Sequence, residues 1–325
     1  MIDVVICTHN PRTDFLERTV QSLQKQTLPH EQWTFTIVDN SSNPPVDAKY
    51  VSWHPSGSVC IETKLGLTSA RVCGIQNTAG ELIVFVDDDN VLAANYLQET
   101  IRVAQDYPFL GAFGSSQIIP EFEQEPSSEI RKHVRKLALR DLKTSIWSND
   151  PRDGSDPWGA GLVVRRDVAN AFVELVLRDP TRLELGRQGE NLNSGEDNEF
   201  SWLSCELGYG KGVFSTLSMK HLMSVGRVEP NYIIRISEGH SFSRTLTSYL
   251  HQSDFRKYDD QFGRKFSFVP KMTFSTKIKH FVARVMAVFP GTFHHKVRYA
   301  SYCGFARAVD HIEKLSAKNS QASDS

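Results

Sequence analysis

The sequence predicts an α/β domain built on a mostly parallel sheet flanked by helices, followed by a helical C-terminal extension. Short β-branched segments alternate with amphipathic segments over the first 120 residues or so, and strands that alternate with helices form parallel sheets covered on both faces. The chain of 325 residues exceeds a typical single α/β domain. We therefore expect a sheet domain over residues 1–228, a helical extension over 229–314 and a disordered tail over 315–325.

The individual elements follow from hydrophobic periodicity along the chain. Predicted strands are short apolar segments, and predicted helices place apolar residues three or four positions apart. The strands are predicted at residues 3–7, 35–38, 59–62, 82–86, 109–119 and 159–164. The helices are predicted at residues 14–26, 66–77, 94–105, 130–143 and 196–206, with 230–313 mostly helical. The helix at 130–143 is expected to be basic.

Charge and cysteine content exclude several classes of protein. The net charge of −1 gives no basic field that would attract nucleic acid. The five cysteines are odd in number and form no Cys-x-x-Cys pair, which argues against a disulfide framework and a zinc site. The apolar N-terminus has no basic leader, so it is interpreted as a strand and not a signal peptide. We expect a cytoplasmic protein, either soluble or peripheral on the inner face of the membrane.

Polar residues follow three of the predicted strands. Ligands of parallel α/β sheets bind beyond the carboxyl ends of the strands, so these residues should converge on one edge. They are Thr8, His9 and Asn10 after the first strand, Asp39 and Asn40 after the second, and Asp87, Asp88 and Asp89 after the fourth. The convergence predicts a binding site at this edge.

The aspartate run at the end of the fourth strand admits two interpretations. Carboxylate oxygens suit Mg²⁺ or Mn²⁺, which in turn bridge diphosphate oxygens. The alternative is a solvated acidic turn before the next helix. His221 is a further candidate metal ligand, since neutral imidazole binds divalent cations, and its alternative is a structural histidine.

Two carboxylates, Glu196 and Asp197, open a predicted helix. One of them could act as a general base that takes a proton from an attacking hydroxyl. The structural alternative is simple, because acidic residues in the first turn of a helix are favoured by its dipole and cap it.

Two further segments are candidates for substrate contacts. Gly66 at a helix start and Arg71 within that helix could bind a diphosphate, or Arg71 could be an exposed helical arginine. Trp158, followed by Gly159 and Gly161, could offer a face to a sugar ring with close backbone approach. The alternative is a buried structural tryptophan.

The order of these segments resembles the family 2 glycosyltransferases of the GT-A, Rossmann-like fold. The resemblance covers roughly residues 2–225. It is carried by residues 4–10, 35–42, 66–71, 80–90, 158–166 and 195–197. The last of these looks like the family's ED motif, and residues 87–89 look like its DxD region.

The resemblance implies a role for each matching residue. Donor contacts are implied for Thr8, His9, Asn10, Asp39, Gly66, Arg71, Asp87 and Asp88. Acceptor contacts are implied for Trp158, Gly159 and Gly161, and metal ligation by Mn²⁺ or Mg²⁺ at Asp89 and His221. Asp197 is implied as the general base of an inverting transfer, supported by Glu196. A nucleotidyltransferase and a non-catalytic sugar-nucleotide-binding protein are the competing classes.

Substrate expectations follow from two further features. No Gln-x-x-Arg-Trp segment of processive synthases occurs, so we expect single-sugar addition from a nucleotide sugar, most simply a UDP-sugar. The acceptor is expected to be a saccharide or lipid-linked saccharide in polysaccharide biosynthesis. Residues 277–307 form a basic amphipathic segment that would contact an anionic membrane. The alternative is a helix packed on the sheet domain.

Overall fold

The structure is a computed structural model that describes residues 1–251, 271–289 and 293–323. The chain divides into two compact units. The first comprises Met1–Glu125, Leu137–Gly189 and Glu196–Val225. The second comprises Pro126–Lys136, Glu190–Gly195 and Gly226–Ser325.

The first unit is built on one sheet of ten strands. The strands are β1 (Ile2–Thr8), β2 (Trp33–Asp39), β3 (Gly57–Ile61), β4 (Leu82–Val86), β5 (Asn90–Leu92), β6 (Leu110–Phe122), β7 (Arg140–Asp141), β8 (Ile146–Ser148), β9 (Leu162–Arg165) and β10 (Gly210–Met223). Their order is β3-β2-β1-β4-β9-β6-β10-β5, with β7 beside β6 and β8 beside β10. The six predicted strands are all present.

Strand direction changes at β9. Strands β1 to β4 are parallel, as β6 and β10 are to each other, but β9 runs antiparallel to both β4 and β6. Phe85 near the carboxyl end of β4 therefore pairs with Leu162, the first residue of β9. The chain that enters β9 thus lies beside the carboxyl end of β4, where the aspartate run begins.

Five helices of the first unit cover this sheet. They are α1 (Thr13–Gln24), α2 (Leu67–Gln76), α3 (Tyr96–Asp106), α5 (Arg166–Arg178) and α6 (Glu196–Glu206). Four of them were predicted within about two residues of these bounds. The rings of Phe172 on α5 and Phe200 on α6 stack at 4.1 Å, and both belong to the buried core that also contains Phe85 of β4. This packing fixes the start of α6 against the sheet.

The prediction of a basic helix over 130–143 was wrong. The only α-helical part is α4 (Ser128–Arg131), followed by a 3-10 turn at Val134–Leu137. Ala138 has a φ of 55°, which a right-handed helix does not allow. Residues 140 and 141 then pair with Ile118 and Gln117 of β6. Hydrogen bonds within the sheet thus form where the spacing of basic and apolar residues favoured a helix.

Most described residues of the second unit lie in helices. Its long helices are α7 (Pro230–Leu250), α8 (Phe274–Ala287) and α9 (Phe293–Ser323). Helices α7 and α9 approach closely at Gly304, where a Cβ atom would lie 2.1 Å from the Glu238 carbonyl oxygen. The predicted C-terminal helices are present, and α9 includes most of the segment that was predicted as a disordered tail. Predicted helix at 252–270 and 290–292 lies outside the described residues. Within the described ranges, no helix combines the length and apolarity that crossing a bilayer requires.

Candidate active site

The carboxyl ends of β1, β2 and β4 bring the predicted polar residues to one edge of the sheet. Thr8 at the end of β1 is in register with Asp39 at the end of β2. The Thr8 hydroxyl also donates a hydrogen bond to the Asp88 carboxylate. The structure therefore joins three clusters that lie far apart in the sequence.

Asp39 organises the loop that follows β2. Its two carboxylate oxygens accept hydrogen bonds from the backbone N–H groups of Ser42, at 2.8 Å, and Val46, at 2.9 Å. Burial raises the pKa of Asp39, but the hydrogen bonds from Ser42 and Val46 outweigh this and hold the pKa below its ordinary value. The side chain is thus an ionised carboxylate that fixes the loop.

Asn40 links the same loop to the start of α2. Its amide nitrogen donates to the carbonyl oxygens of Glu62 and Lys64, each at 2.9 Å, and its amide oxygen accepts from the Gly66 N–H at 2.8 Å. Gly66, a predicted donor contact, has a φ of 132°. The sequence places Asn40 in the polar cluster after β2, but it does not show the hydrogen bonds by which Asn40 joins the two loops.

His9 and Asn10 form the exposed side of this edge. His9 Nδ1 lies 2.7 Å from the Asn40 carbonyl oxygen. Because a carbonyl oxygen can only accept a hydrogen bond, Nδ1 is the donor. Asn10 has a φ of 49°, a conformation that asparagine tolerates, and its amide oxygen accepts from the Asn43 N–H at 2.7 Å. These side chains are accessible to a ligand.

The three adjacent aspartates have different surroundings. The backbone N–H of Asp87 donates to the Asn90 amide oxygen at 3.2 Å, and the Asn90 N–H donates to the Asp87 carbonyl at 3.1 Å. The buried Asp89 accepts from the Asn90 amide at 2.9 Å, while Asp88 accepts from Thr8. Asn90, which sequence analysis did not assign, therefore shapes the turn.

Asp89 and His221 face each other. Asp89 Oδ1 lies 3.3 Å from His221 Nε2, and both side chains are buried. Two ligands about 2.1 Å from one octahedral ion, at right angles to each other, lie roughly 3 Å apart. The observed spacing is close to this value, so the two predicted ligands fit one divalent cation. No group of three or more His, Cys, Asp or Glu side chains suited to a metal ion occurs in the described part of the chain.

Arg71 is buried, although an exposed helical arginine was one interpretation of it. The residue is 1% exposed. Its Nη1 lies 3.4 Å from Glu196 Oε1, and its guanidinium carbon lies 5.3 Å from the centre of the Phe85 ring. Burial raises the pKa of Glu196 to about 7, with Arg71 opposing and Asp197 adding to this shift.

Asp197 is held by the loop that enters β9. The Gly159 N–H donates to Asp197 Oδ2 at 3.0 Å, and the Asn198 N–H donates to Oδ1 at 2.9 Å. A Cβ atom at Gly159 would lie 2.5 Å from Arg71 Nη2. Gly159 therefore fits between Arg71 and Asp197, and its lack of a side chain permits the close approach.

Arg71 also connects the two acidic groups that were predicted separately. Burial lowers the pKa of Arg71, but the charges of Glu196, Asp87 and Asp197 outweigh this and raise it. Asp87 follows β4, whereas the other two carboxylates begin α6. One buried cation therefore interacts with carboxylates from both parts of the sequence.

Gly161 has a structural constraint. Its φ is 68°, and a Cβ atom there would lie 2.1 Å from Met219 Cε and 2.5 Å from Tyr96 Oη. The Tyr96 hydroxyl donates to the Gly161 carbonyl oxygen at 2.6 Å. The glycine lets the loop turn into β9 over a buried tyrosine that sequence analysis did not identify.

Trp158 is half-buried beneath an arginine. The Arg140 guanidinium carbon lies 3.9 Å from the centre of the Trp158 ring, and Arg140 Nη2 donates to the Asp156 carbonyl oxygen at 2.9 Å. Burial lowers the pKa of Arg140 to about 10, opposed by Asp156 and Asp197. Arg140 had no predicted role because it fell within the wrongly predicted helix.

Sequence comparisons match the chain to one protein family. The family model described as Glycosyl transferase family 2 matches residues 3–172. An N-acetylglucosaminyltransferase of Bradyrhizobium diazoefficiens is 24% identical over 115 residues, which are 34% of this chain and 24% of that protein. Succinoglycan biosynthesis protein ExoM of Rhizobium meliloti is 23% identical over 214 residues, 61% of this chain and 59% of that protein. The chain thus spans 24% and 59% of the lengths of these two relatives.

A solved structure shares the fold. The mannosyltransferase PcManGT from Pyrobaculum calidifontis, in complex with GDP-Man and Mn²⁺, aligns with a TM-score of 0.52. The alignment covers 94% of this chain and 85% of that one at 14% sequence identity. The predicted GT-A type of α/β fold is confirmed.

Proposed function

We propose that this chain, which belongs to glycosyl transferase family 2, transfers one sugar from a nucleotide-sugar donor to an acceptor hydroxyl. The observation that carries the proposal is the buried Arg71, which lies 3.4 Å from Glu196 Oε1 at the start of α6 and 5.3 Å from the ring of Phe85 near the carboxyl end of β4. A donor-binding edge and a candidate base thereby belong to one site. We further propose that this site is cytoplasmic.

The donor nucleoside is proposed to bind at the ends of β1, β2 and β4. Thr8, His9 and Asn10 supply hydrogen-bonding groups at this edge, and Asp39 fixes the loop beside them. Asp87 and Asp88 would contact the ribose and the base side of the nucleotide. Gly66, which has no side chain, would allow the backbone to approach the diphosphate closely.

Arg71 is proposed to act on the carboxylates and not directly on the diphosphate. Its guanidinium is enclosed by Glu196, Phe85 and Gly159, and the residue is 1% exposed. In this position its charge opposes the effect of burial on Glu196 and favours the ionised form of that carboxylate. It would also hold Glu196 beside Asp197, the proposed base.

Asp89 and His221 are proposed to hold a divalent cation. Imidazole nitrogen suits first-row transition metals, whereas Mg²⁺ prefers oxygen ligands, so His221 favours Mn²⁺ over Mg²⁺. When bound, the cation would neutralise charge on the diphosphate leaving group.

Asp197 is the proposed general base. Both of its oxygens accept one backbone hydrogen bond, and each retains a lone pair for an acceptor hydroxyl. The acceptor oxygen forms a bond to the anomeric carbon while its proton passes to Asp197. The bond to the nucleoside diphosphate breaks, and the diphosphate departs with the electron pair. A single displacement of this kind inverts the anomeric configuration.

The acceptor is proposed to be a saccharide or lipid-linked saccharide that binds beside the loop entering β9. Trp158 would offer its sugar ring the apolar face that Arg140 does not cover. Gly159 would bring the loop backbone close to Asp197, and Gly161 would fix the turn of that loop. The name of the Rhizobium meliloti relative, a succinoglycan biosynthesis protein, supports a role in cell-surface polysaccharide synthesis.

A donor screen tests this proposal. The protein would be mixed with UDP-, GDP- and dTDP-sugars and Mn²⁺, and thermal stability and nucleoside diphosphate release would be measured. We expect stabilisation and release with one nucleotide class, with a UDP-sugar as the first candidate. Stabilisation without transfer to any acceptor extract would favour a binding protein. Release of pyrophosphate in a parallel mixture of a nucleoside triphosphate and a sugar 1-phosphate would favour a nucleotidyltransferase.

A further inference from the structure

Helix α8 presents a broad apolar surface to solvent. Phe274 is 80% exposed, Phe281 65% and Val282 51%, and Ile278 and Val285 are also exposed. Four of these residues, Phe274, Ile278, Phe281 and Val285, follow one another at spacings of three or four positions. Residues with this spacing lie along one side of an α-helix. We call the five residues the outer face of α8.

The opposite side of the same helix packs against α9. The ring centres of His280 and Tyr299 lie 5.2 Å apart, and His280 Nε2 lies 3.8 Å from Cys303 Sγ. Ala283, on the same side as His280, is the buried residue of α8. A narrow contact through small and polar groups therefore anchors the helix, and its large apolar side chains are directed away from α9.

Positive charge borders the outer face. Lys277 and Arg284 lie along one edge of it and Lys279 lies along the other, and all three are exposed. The sequence contains no Asp or Glu from Lys271 to Val309. The chain as a whole has a net charge of −1, so this concentration of positive charge is local.

We infer that α8 docks the protein on an anionic lipid surface, with the outer face among the acyl chains and the basic residues at the headgroups. Apolar residues bordered by Lys and Arg are the pattern of a helix that lies in the plane of a membrane interface. The helix has 14 residues, whereas crossing the hydrocarbon core takes about 20. It therefore lies on the membrane and does not span it.

Charge also argues against a second copy of the chain as the occupant. A symmetric contact through the outer face would bring the Lys277, Lys279 and Arg284 groups of both copies together. Like charges that meet across an interface oppose association. Anionic headgroups instead attract each of these residues, so a lipid surface satisfies both the apolar and the charged parts of the helix.

Vesicle co-sedimentation of the full chain tests the inference. We expect binding to vesicles of phosphatidylcholine with phosphatidylglycerol, much weaker binding to pure phosphatidylcholine, and weakening as salt is raised. Replacing Lys277, Lys279 and Arg284 together by Gln should weaken binding to the anionic vesicles about 100-fold, since each basic residue contributes about fivefold. The matched control replaces the exposed residues Lys25, Lys132 and Lys143 by Gln. It removes the same charge elsewhere in the chain and should bind within about threefold of wild type, because the attraction depends on the charges beside the outer face.

The apolar part is tested separately. The double variant Phe281→Ser and Val285→Ser should weaken binding at least about 10-fold. The double variant Leu177→Ser and Leu207→Ser, which alters exposed leucines of the first unit, should bind as wild type does.

Three results would overturn the inference: no vesicle binding, equal binding to neutral and anionic vesicles, or full binding by the Phe281 and Val285 variant. A dimer in light scattering that this variant abolishes, without vesicle binding, would assign the outer face to a second copy. Vesicle binding needs no transferase activity, so its failure would leave the proposed function intact.

Discussion

Asp89 Oδ1 lies 3.3 Å from His221 Nε2, although the two residues are far apart in the sequence. Backbone pairing fixes their approach. His221 on β10 is in register with Asn90 on β5, and the Leu222 N–H donates to the Asp89 carbonyl oxygen at 2.9 Å. Strand pairing, and not a mobile loop, therefore sets the distance between the two candidate ligands.

Loss of either ligand should weaken metal binding. Substituting a residue that hydrogen-bonds to a metal ligand typically lowers metal affinity about 10- to 100-fold, and removing the ligand itself should lower it at least as much. We therefore expect Asp89→Ala and His221→Ala each to weaken Mn²⁺ binding at least 10-fold, as measured by electron paramagnetic resonance with a nucleoside diphosphate present.

Lys220→Ala is the matched control for the metal variants. Lys220 precedes His221 on β10, is exposed and pairs with Glu121. Its loss should leave Mn²⁺ affinity unchanged. Wild-type Mn²⁺ affinity in His221→Ala would remove this histidine from the metal site.

The buried Glu196 should make stability depend on pH. Its pKa is raised from 4.5 to about 7, chiefly by burial. Between these values the folded chain keeps a proton that the unfolded chain has lost, so this residue lowers stability as pH rises from about 4.5 to about 7. Relative to Glu196→Gln, the melting temperature of the wild type should therefore fall across this window and level off above it.

Glu206→Gln, which alters an exposed residue at the other end of α6, provides the comparison. Its melting temperature should run parallel to that of the wild type over the same pH range. If the difference in melting temperature between wild type and Glu196→Gln were constant from pH 5 to 8, this would contradict the raised pKa of Glu196.

Gly161→Ala should destabilise the first unit. An alanine at a φ of 68° costs about 1–2 kcal/mol, and its Cβ would lie 2.5 Å from the buried Tyr96 hydroxyl, which adds about 1–3 kcal/mol of overpacking. We expect the free energy of unfolding to fall by about 2–5 kcal/mol. Urea titration, with the slope unchanged, would measure it.

Gly208→Ala separates the two causes. Gly208 has a φ of 85° but no heavy atom within 4 Å of a Cβ atom at this position. Only the backbone cost of about 1–2 kcal/mol should be seen. Equal losses in the two variants would show that contacts with Tyr96 and Met219 contribute nothing.

Local sequence patterns were sufficient to predict the six main strands and most of the helices. Strand β4 was predicted at its observed bounds, Leu82–Val86, because a short apolar segment between polar residues has few other solutions. The segment around Arg140 was not predictable in this way. Its pairing with β6 depends on a strand about twenty residues earlier in the chain, so spacing alone favoured a helix.

Side-chain surroundings were the least predictable feature. The position of Arg71 in a helix gave no sign that it would be buried against Glu196, since that contact joins α2 to α6. Asn40 and Asn90 hold the loops of the site by hydrogen bonds to backbone groups that are close only in the folded chain. Residue types and their order predicted which polar residues gather at one edge of the sheet, but the partners of each side chain depend on tertiary contacts.

The most direct test of the central claim is transfer by Asp197→Asn. A general base contributes about 100- to 10,000-fold, so kcat for sugar transfer should fall by this factor while donor affinity, measured by calorimetry, stays within about threefold. Asp106→Asn, at an exposed position, should transfer at the wild-type rate. Near wild-type transfer by Asp197→Asn, with the donor bound normally, would contradict the assignment of this carboxylate as the base.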